Sequence, residues 1–306
     1  MWFIYTLCSM VAWGAADLFY KKGADESDRY SHLKTAMIVG FVMGIHAIFV
    51  LLTKDIDYNF INIIKYLPVS LMYIGSMTIG YLGLKYLELS ISSPIQNSSG
   101  AVCCILCLIF LKERMSLLST VGVILICGGI FLLGLLEKID ANKLSLKNEK
   151  KYKIGFIAIS LPIIYCIIDS LGTFFDAFYL DDVSSTPLVG VTVDNIEDIA
   201  NTSYELTFLI CAVIILIFLL FKRSSLKPKA QAPRLVAALF ETAGQATYVY
   251  AISANPAVAA PAISAYSIVS LILSRIFLKE KLSKLHYLAI IIAIAGIAVL
   301  GFADEM

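Results

Sequence analysis

Long apolar runs separated by short polar turns fill most of the chain. A bilayer core needs about 20 mostly apolar residues per helix. Ten stretches meet or approach that length: 2–20, 35–53, 63–84, 91–111, 117–136, 153–175, 205–222, 234–254, 258–278 and 285–302. The third and eighth are the least apolar, with Lys65 and Pro68 in one and Glu241 and Gln245 in the other. The pattern predicts an all-α polytopic membrane protein with ten transmembrane helices. Two segments interrupt the rhythm. Residues 137–152 form a basic linker, and 177–204 form a polar, acidic segment expected to be a solvated loop with a short helix.

The chain also repeats itself. Displaced by 167 residues, Pro94 falls on Pro261 and Ile109-Phe110-Leu111-Lys112-Glu113 on Ile276-Phe277-Leu278-Lys279-Glu280. Ser116 then meets Ser283, Gly129 meets Gly296, Gly134 meets Gly301 and Tyr81 meets Tyr248. A displacement of 152 near the start of each half sets Trp13 on Tyr165 and Asp17 on Asp169. Each half thus opens with an aromatic residue and an aspartate at i, i+4, which share one helix face. Five spans per half is an odd number, so the halves must run in opposite directions across the membrane. The expected domains are a first five-helix repeat (1–136), the linker, and a second inverted repeat (153–306). Inverted repeats are the architecture of secondary transporters, with the site between them near the midplane.

Composition supports this. Hydrophobic residues make up 59% and charged residues only 15%, against about 25% in ordinary soluble domains. A net charge of +1 gives no field for nucleic acid. The seven cysteines lie in apolar runs without metal spacing and read as packing residues. The N-terminal run has no basic n-region or small-residue cleavage site, so it is expected to remain as the first span. No G-x-x-x-x-G-K-[ST] motif occurs, so energy would come from gradients rather than ATP. Neither an H-E-x-x-H nor a D-D-x-x-D run lies in the spans, and an enzyme is not expected. No cofactor or metal is implied.

Charge placement sets an orientation. Of the 24 Lys and Arg residues, 20 lie on the side of the basic linker and four on the other. The positive-inside rule then puts the linker in the cytoplasm, with both termini and the acidic segment outside a cell membrane.

Ionisable residues inside spans cost about 2.5–3.5 kcal/mol each at the helix centre, so they are candidates for function. Glu241 lies near the middle of the eighth span, with Gln245 at i+4 and Tyr248 at i+7 on the same face. Asp169 has no basic residue at i±3 or i±4. Asp17 has Lys21 at i+4, an ordinary interfacial pairing, and Asp176 lies near the outer end of its span, where a solvated acid is expected. His46, near the centre of the second span, titrates near neutrality and is a candidate proton relay beside Glu241, Asp169 and Asp17. Lys85 and Glu88 read as interfacial. Trp13, Tyr81, Tyr165, Tyr248 and Tyr266 supply aromatic surface, and Gln96 and Asn97 open the fourth span with hydrogen-bonding groups. Acids without cations beside aromatic rings are the ingredients of an organic-cation site.

Pro94 to Gly134, with its Leu-Lys-Glu-Arg-Met-Ser turn, resembles the closing helices of an EamA domain of the drug/metabolite transporter superfamily. Leu278-Lys279-Glu280-Lys281-Leu282-Ser283 repeats the turn, and Trp13-Gly14 resembles the family's first-helix opening. The resemblance implies a ten-helix basket moving metabolites, amino acids or drug-like molecules by alternating access. It also implies cytoplasmic termini, opposite to the charge distribution. The expected function is secondary active transport of a small organic metabolite or amine/cation, with alternating access at the midplane site and proton-coupled export. The alternative is a facilitator or uptake permease for a neutral or zwitterionic metabolite such as an amino acid.

Overall fold

The computed structural model describes residues 1–54, 56–145, 149–280 and 282–305, with the side chains of residues 91, 137–159, 304 and 305 outside the description. The described residues form helices and no strand. In the first half these are α1 (Trp2–Gly23), α2 (Ser31–Thr53), α3 (Ile61–Lys65), α4 (Leu67–Gly83), α5 (Leu89–Gln96), α6 (Ser99–Leu106) and α7 (Leu117–Ser145). In the second they are α8 (Glu149–Leu180), α9 (Ile196–Phe221), α10 (Pro228–Ala254), α11 (Pro256–Ser264), α12 (Tyr266–Leu273) and α13 (Lys284–Glu305).

Eight helical stretches among the described residues are long and apolar enough to cross a membrane: Trp2–Gly23, Ser31–Thr53, Ser92–Leu111, Leu117–Leu136, Ser160–Leu180, Ile196–Phe221, Pro256–Leu278 and Lys284–Ala303. The two weakest sequence stretches are the ones missing. Helix α4 is apolar but only 17 residues long, because Lys65 ends α3 and Pro68 restarts the chain in the first turn of α4. Helix α10 has 27 residues, but Glu241, Thr242, Gln245 and Thr247 dilute its apolar character.

Several sequence boundaries move. Both ends of the acidic segment are helical: α8 runs to Leu180 and α9 begins at Ile196, leaving 181–195 as loop. The fourth stretch is two helices, not one. Pro94 lacks an amide hydrogen and its ring crowds the carbonyl four residues back, and α5 ends at Gln96 before α6 begins at Ser99. The displaced equivalent, Pro261, precedes the same kind of break between α11 and α12.

The duplicated Leu-Lys-Glu turn folds the same way twice. A π-helical turn (Cys107–Leu111 and Ser274–Leu278) ends in a lysine with left-handed backbone, Lys112 at φ 57° and Lys279 at φ 60°. The turn swings the following glutamate back across the molecule in the second half. Glu280 accepts the amides of Leu89 (3.0 Å) and Ser90 (2.9 Å), capping α5 from the opposite half. An acceptor at a helix N-terminus satisfies amides that have no partner within the helix.

Helix α1 packs along α10, α4 along α8, α2 along α9, α6 against α11 and α7 along α13. The stretch Pro256–Leu278 is the innermost, with 78% of its most apolar window buried against 33% for Leu117–Leu136 and Lys284–Ala303. The outward residues of α7 and α13, among them Ile124, Phe131, Ile291 and Phe302, are exposed and form the surface offered to lipid. Helices α7 and α13 meet at glycines. A Cβ on Gly296 would lie 2.7 Å from the Gly122 carbonyl oxygen and 2.8 Å from Ile126. Small residues at such crossings let backbones approach and gain dispersion contact. Overpacking a filled contact costs typically 1–3 kcal/mol. Gly296→Val is therefore expected to lower the unfolding temperature of the detergent-solubilised protein clearly, while Gly128→Val, where a Cβ meets open space, leaves it nearly unchanged.

Candidate functional site

A cavity of about 70 Å³ lies at the centre of the bundle, lined from both halves by α1, α4, α5, α6, α8, α9, α10, α11 and α12. Its position follows from the α1–α10 pair. Ser9 donates to the Gly244 carbonyl (3.1 Å), the Trp13 indole to the Glu241 carbonyl (3.2 Å), and Gly23 abuts Arg234. Rising numbers on α1 match falling numbers on α10, so the two helices are antiparallel, and they present Asp17 and Glu241 to the same space. Gly244 makes the contact possible, since any Cβ there would run into the Trp13 indole.

Three carboxylates line the cavity, and each is held by neutral hydroxyls. Asp17 Oδ2 accepts from Ser270 (2.7 Å) and Ser93 (2.8 Å). Asp169 Oδ2 accepts from Ser99 (2.7 Å) and its Oδ1 from Ser76 (3.4 Å). Glu241 Oε2 accepts from the Tyr20 hydroxyl (3.1 Å). Among the described residues no Lys, Arg or His lines the cavity. Hydrogen bonds to charged groups contribute about 1.5–3 kcal/mol, so the hydroxyls offset part of the cost of burial without neutralising the charge. Among the described residues no three His, Cys, Asp or Glu side chains converge as a metal site would.

Aromatic rings form the rest of the wall. Trp13 lies 5.0 Å from Tyr248 and 5.8 Å, edge to face, from Tyr266. Tyr20 packs on Tyr81 at 4.6 Å. The Tyr73 and Tyr248 hydroxyls are 2.5 Å apart, and Tyr73 donates to Thr173 (3.1 Å). Two buried polar atoms in the wall, Tyr81 Oη and Gln96 Nε2, have no protein partner.

All ten residues expected from sequence to bind substrate line this one cavity: Trp13, Tyr81, Gln96, Asn97, Tyr165, Asp169, Glu241, Gln245, Tyr248 and Tyr266. Of the four proton-coupling candidates, Asp17, Asp169 and Glu241 line it and His46 does not. His46 instead sits between α2 and α9, its Nδ1 2.9 and 2.8 Å from the two carboxylate oxygens of Glu205. Asp17 does not pair with Lys21, whose ammonium is drawn away by the carbonyls of Leu84 (2.7 Å) and Leu87 (2.5 Å). Asp176 is not solvated: it is 1% exposed and accepts a hydrogen bond from Tyr66. Lys85, too, is buried, donating to the Asp28 carbonyl (2.7 Å).

Sequence reasoning missed Tyr20, Tyr204, Thr173 and Ser264 in the cavity wall and Glu205 beyond it. Glu205 had been placed at the edge of a span, but α9 begins nine residues earlier and buries it completely. Tyr20 stands one turn after Asp17 on the same face, a signal that an i, i+3 scan would have registered.

A family profile described as the EamA-like transporter family matches residues 1–135 and 183–302. No curated protein matches the chain. A protein of known crystal structure is similar over 99% of this chain and 96% of its own, with a TM-score of 0.63 at 14% identity, which is a likeness of fold.

With Trp2→Phe leaving Trp13 as the sole tryptophan, a further Gly244→Leu change is expected to push the indole out of its slot. A red-shifted, more quenchable emission would register it; an unshifted spectrum would mean that α1 and α10 do not pack as described.

Proposed function

The chain belongs to the EamA-like transporter family, within the drug/metabolite transporter superfamily, and on that premise we propose that it is a secondary transporter exporting a small organic cation or amine in exchange for protons. It is a multi-pass membrane protein. The observation that carries the reading is the central cavity, where Asp17, Asp169 and Glu241 meet aromatic rings and no basic side chain. Such a wall attracts an organic cation by Coulomb and cation–π forces.

The proposed architecture has ten crossings in two inverted five-helix repeats, 1–136 and 153–306, joined by the linker 137–152. In this reading α4 and α10 also cross the membrane. Two features support it. The packing partners map onto themselves when the halves are exchanged: α1–α10 becomes α8–α4 and α6–α11 becomes α12–α5, while α2–α9 and α7–α13 pair like with like. The antiparallel register of α1 and α10 also fits spans of opposite direction. Alternating access would then open the midplane cavity to one side at a time.

Proton exchange follows from electrostatics. Three ionised carboxylates around one small space would repel one another strongly, so in this reading the cavity without solute retains protons, and an arriving cation displaces one. Glu241, Asp169 and Asp17 are the proposed coupling groups; His46, held by Glu205, stands outside this exchange. Moving a monovalent cation out against an inside-negative potential costs about 2.3 kcal/mol per 100 mV. One proton entering in return cancels that electrical cost, and the pH gradient drives export.

A second reading, passage of a neutral or zwitterionic metabolite, draws support from Gln96 Nε2, a buried amide nitrogen in the wall without a partner. Thermal stabilisation against organic cations, amino acids and sugar phosphates separates the two. The cation reading expects stabilisation by a cation, lost in Glu241→Gln and Asp169→Asn, together with about one proton released per cation bound in weak buffer. Stabilisation by a zwitterion that survives both substitutions would replace it with the second reading.

The proposed orientation, with basic loops in the cytoplasm, is checked in a cysteine-free background. Ser184→Cys in the acidic loop should react with an impermeant maleimide on intact cells, and Ser225→Cys only after lysis. The reverse pattern would invert the assignment.

A further inference from the structure

The three cavity acids are not equivalent in what they leave open. Asp169 Oδ2 accepts from Ser99 at 2.7 Å, while its Oδ1 lies 3.4 Å from the Ser76 hydroxyl, whose one hydrogen has a nearer acceptor in the Tyr73 carbonyl at 3.0 Å. Asp17 receives Ser93 and Ser270 on the same oxygen, Oδ2, and no hydrogen bond reaches its Oδ1. Glu241 receives Tyr20 on Oε2, and no hydrogen bond reaches its Oε1. Neither open oxygen belongs to the fully enclosed side-chain atoms that lack a partner, so both retain accessible surface.

These two open oxygens belong to neighbouring helices. In the antiparallel register of α1 and α10, Trp13 stands level with Glu241 and Gly23 with Arg234. Asp17 is one turn further along α1 than Trp13, and Tyr20, about one turn further still, donates to Glu241 Oε2, so the Glu241 carboxyl lies beside the same stretch of α1 as Asp17. Both carboxyls line the same cavity, and a single nitrogen bridging them would donate one charge-assisted bond of about 2.8 Å to an oxygen of each. Asp169, on α8, faces them from another wall, and α8 packs along α4 rather than along α10.

We propose that the cationic group of the solute is an N–H-bearing ammonium bridging Asp17 Oδ1 and Glu241 Oε1, and that the site selects primary and secondary amines over quaternary ammonium ions. This rests on the cation reading above and assigns it a chemistry. A quaternary ion keeps the Coulomb and cation–π attraction but has no proton to donate, so both carboxylate oxygens lose their hydration without a replacement partner. Asp17, rather than Asp169, is the partner of Glu241, and its serine bonds fix the carboxyl plane so that Oδ1 is the oxygen left for the solute.

The test compares two isomeric cations, tert-butylammonium and tetramethylammonium. They share composition, charge and near-spherical shape, and differ in having three N–H donors or none. Binding is read from Trp13 emission in the Trp2→Phe protein, with thermal stabilisation as a second readout. The expected result is at least tenfold tighter binding of tert-butylammonium, with Asp17→Asn and Glu241→Gln each reducing the ratio to near one and Asp169→Asn preserving it. Equal binding of the two isomers to the parent protein would overturn the bridge while leaving the cation reading standing, and it needs no substituted acid to fold. Loss of the preference in Asp169→Asn, with Asp17→Asn unaffected, would also overturn the assigned pair. Binding of neither cation by a protein that an amino acid stabilises would remove the cation reading and the bridge together.

Discussion

A buried carboxylate is costly unless hydrogen-bond donors reach it, and the way this protein accommodates three of them shapes the rest of the molecule. Each acid sits on a helix whose other faces are apolar, so it can be sheltered only where several helices turn their polar faces inward together. The serine and tyrosine hydroxyls that reach Asp17, Asp169 and Glu241 come from α1, α4, α5, α6 and α12. Satisfying the acids therefore gathers helices from both halves around one space. The same demand explains the glycines on the inner faces: without Gly244 against Trp13, α10 could not bring Glu241 to the level of the indole. The outer helices α7 and α13 carry no such burden and turn apolar side chains to lipid.

Breaks in the inner helices serve the same centre. The interruption after Gln96 and its equivalent after Ser264 lie in the cavity wall, where Asn97, Ser99 and Ser264 present polar atoms. Irregular backbone at membrane depth is tolerated where it lines a cavity rather than lipid. The halves are alike but not identical in their closing turns. Glu280 caps α5 through two amides. The displaced equivalent of Leu89 is Pro256, which has no amide hydrogen to offer Glu113. A repeated motif thus forms an interlock on one side that its counterpart cannot copy.

Much of the site was legible because it is periodic. Glu241, Gln245 and Tyr248 share a helix face by spacing alone, and the repeat by itself matches Asp17 to Asp169. Misreadings arose at the ends of elements. Asp176 reads as a solvated acid because the apolar pattern fades there, yet α8 continues beyond it and buries it, and Glu205, the first residue of the seventh apolar stretch, is buried because α9 begins before it. Asp17 was matched to Lys21 by the i+4 rule. That rule counts only neighbours on one helix, and the lysine found better acceptors in the carbonyls of Leu84 and Leu87.

By itself the sequence determined the helical membrane class, the internal repeat and the identity of the polar residues that a bilayer would force inward, because each follows from hydropathy and period along a single helix. Which acids share a space, which of their oxygens are already occupied and which histidine stands apart were decided only in the tertiary structure. Those outcomes depend on distances between helices remote in the chain, such as Asp17 to Ser270 or His46 to Glu205, and no local pattern encodes the rotation with which one helix meets another.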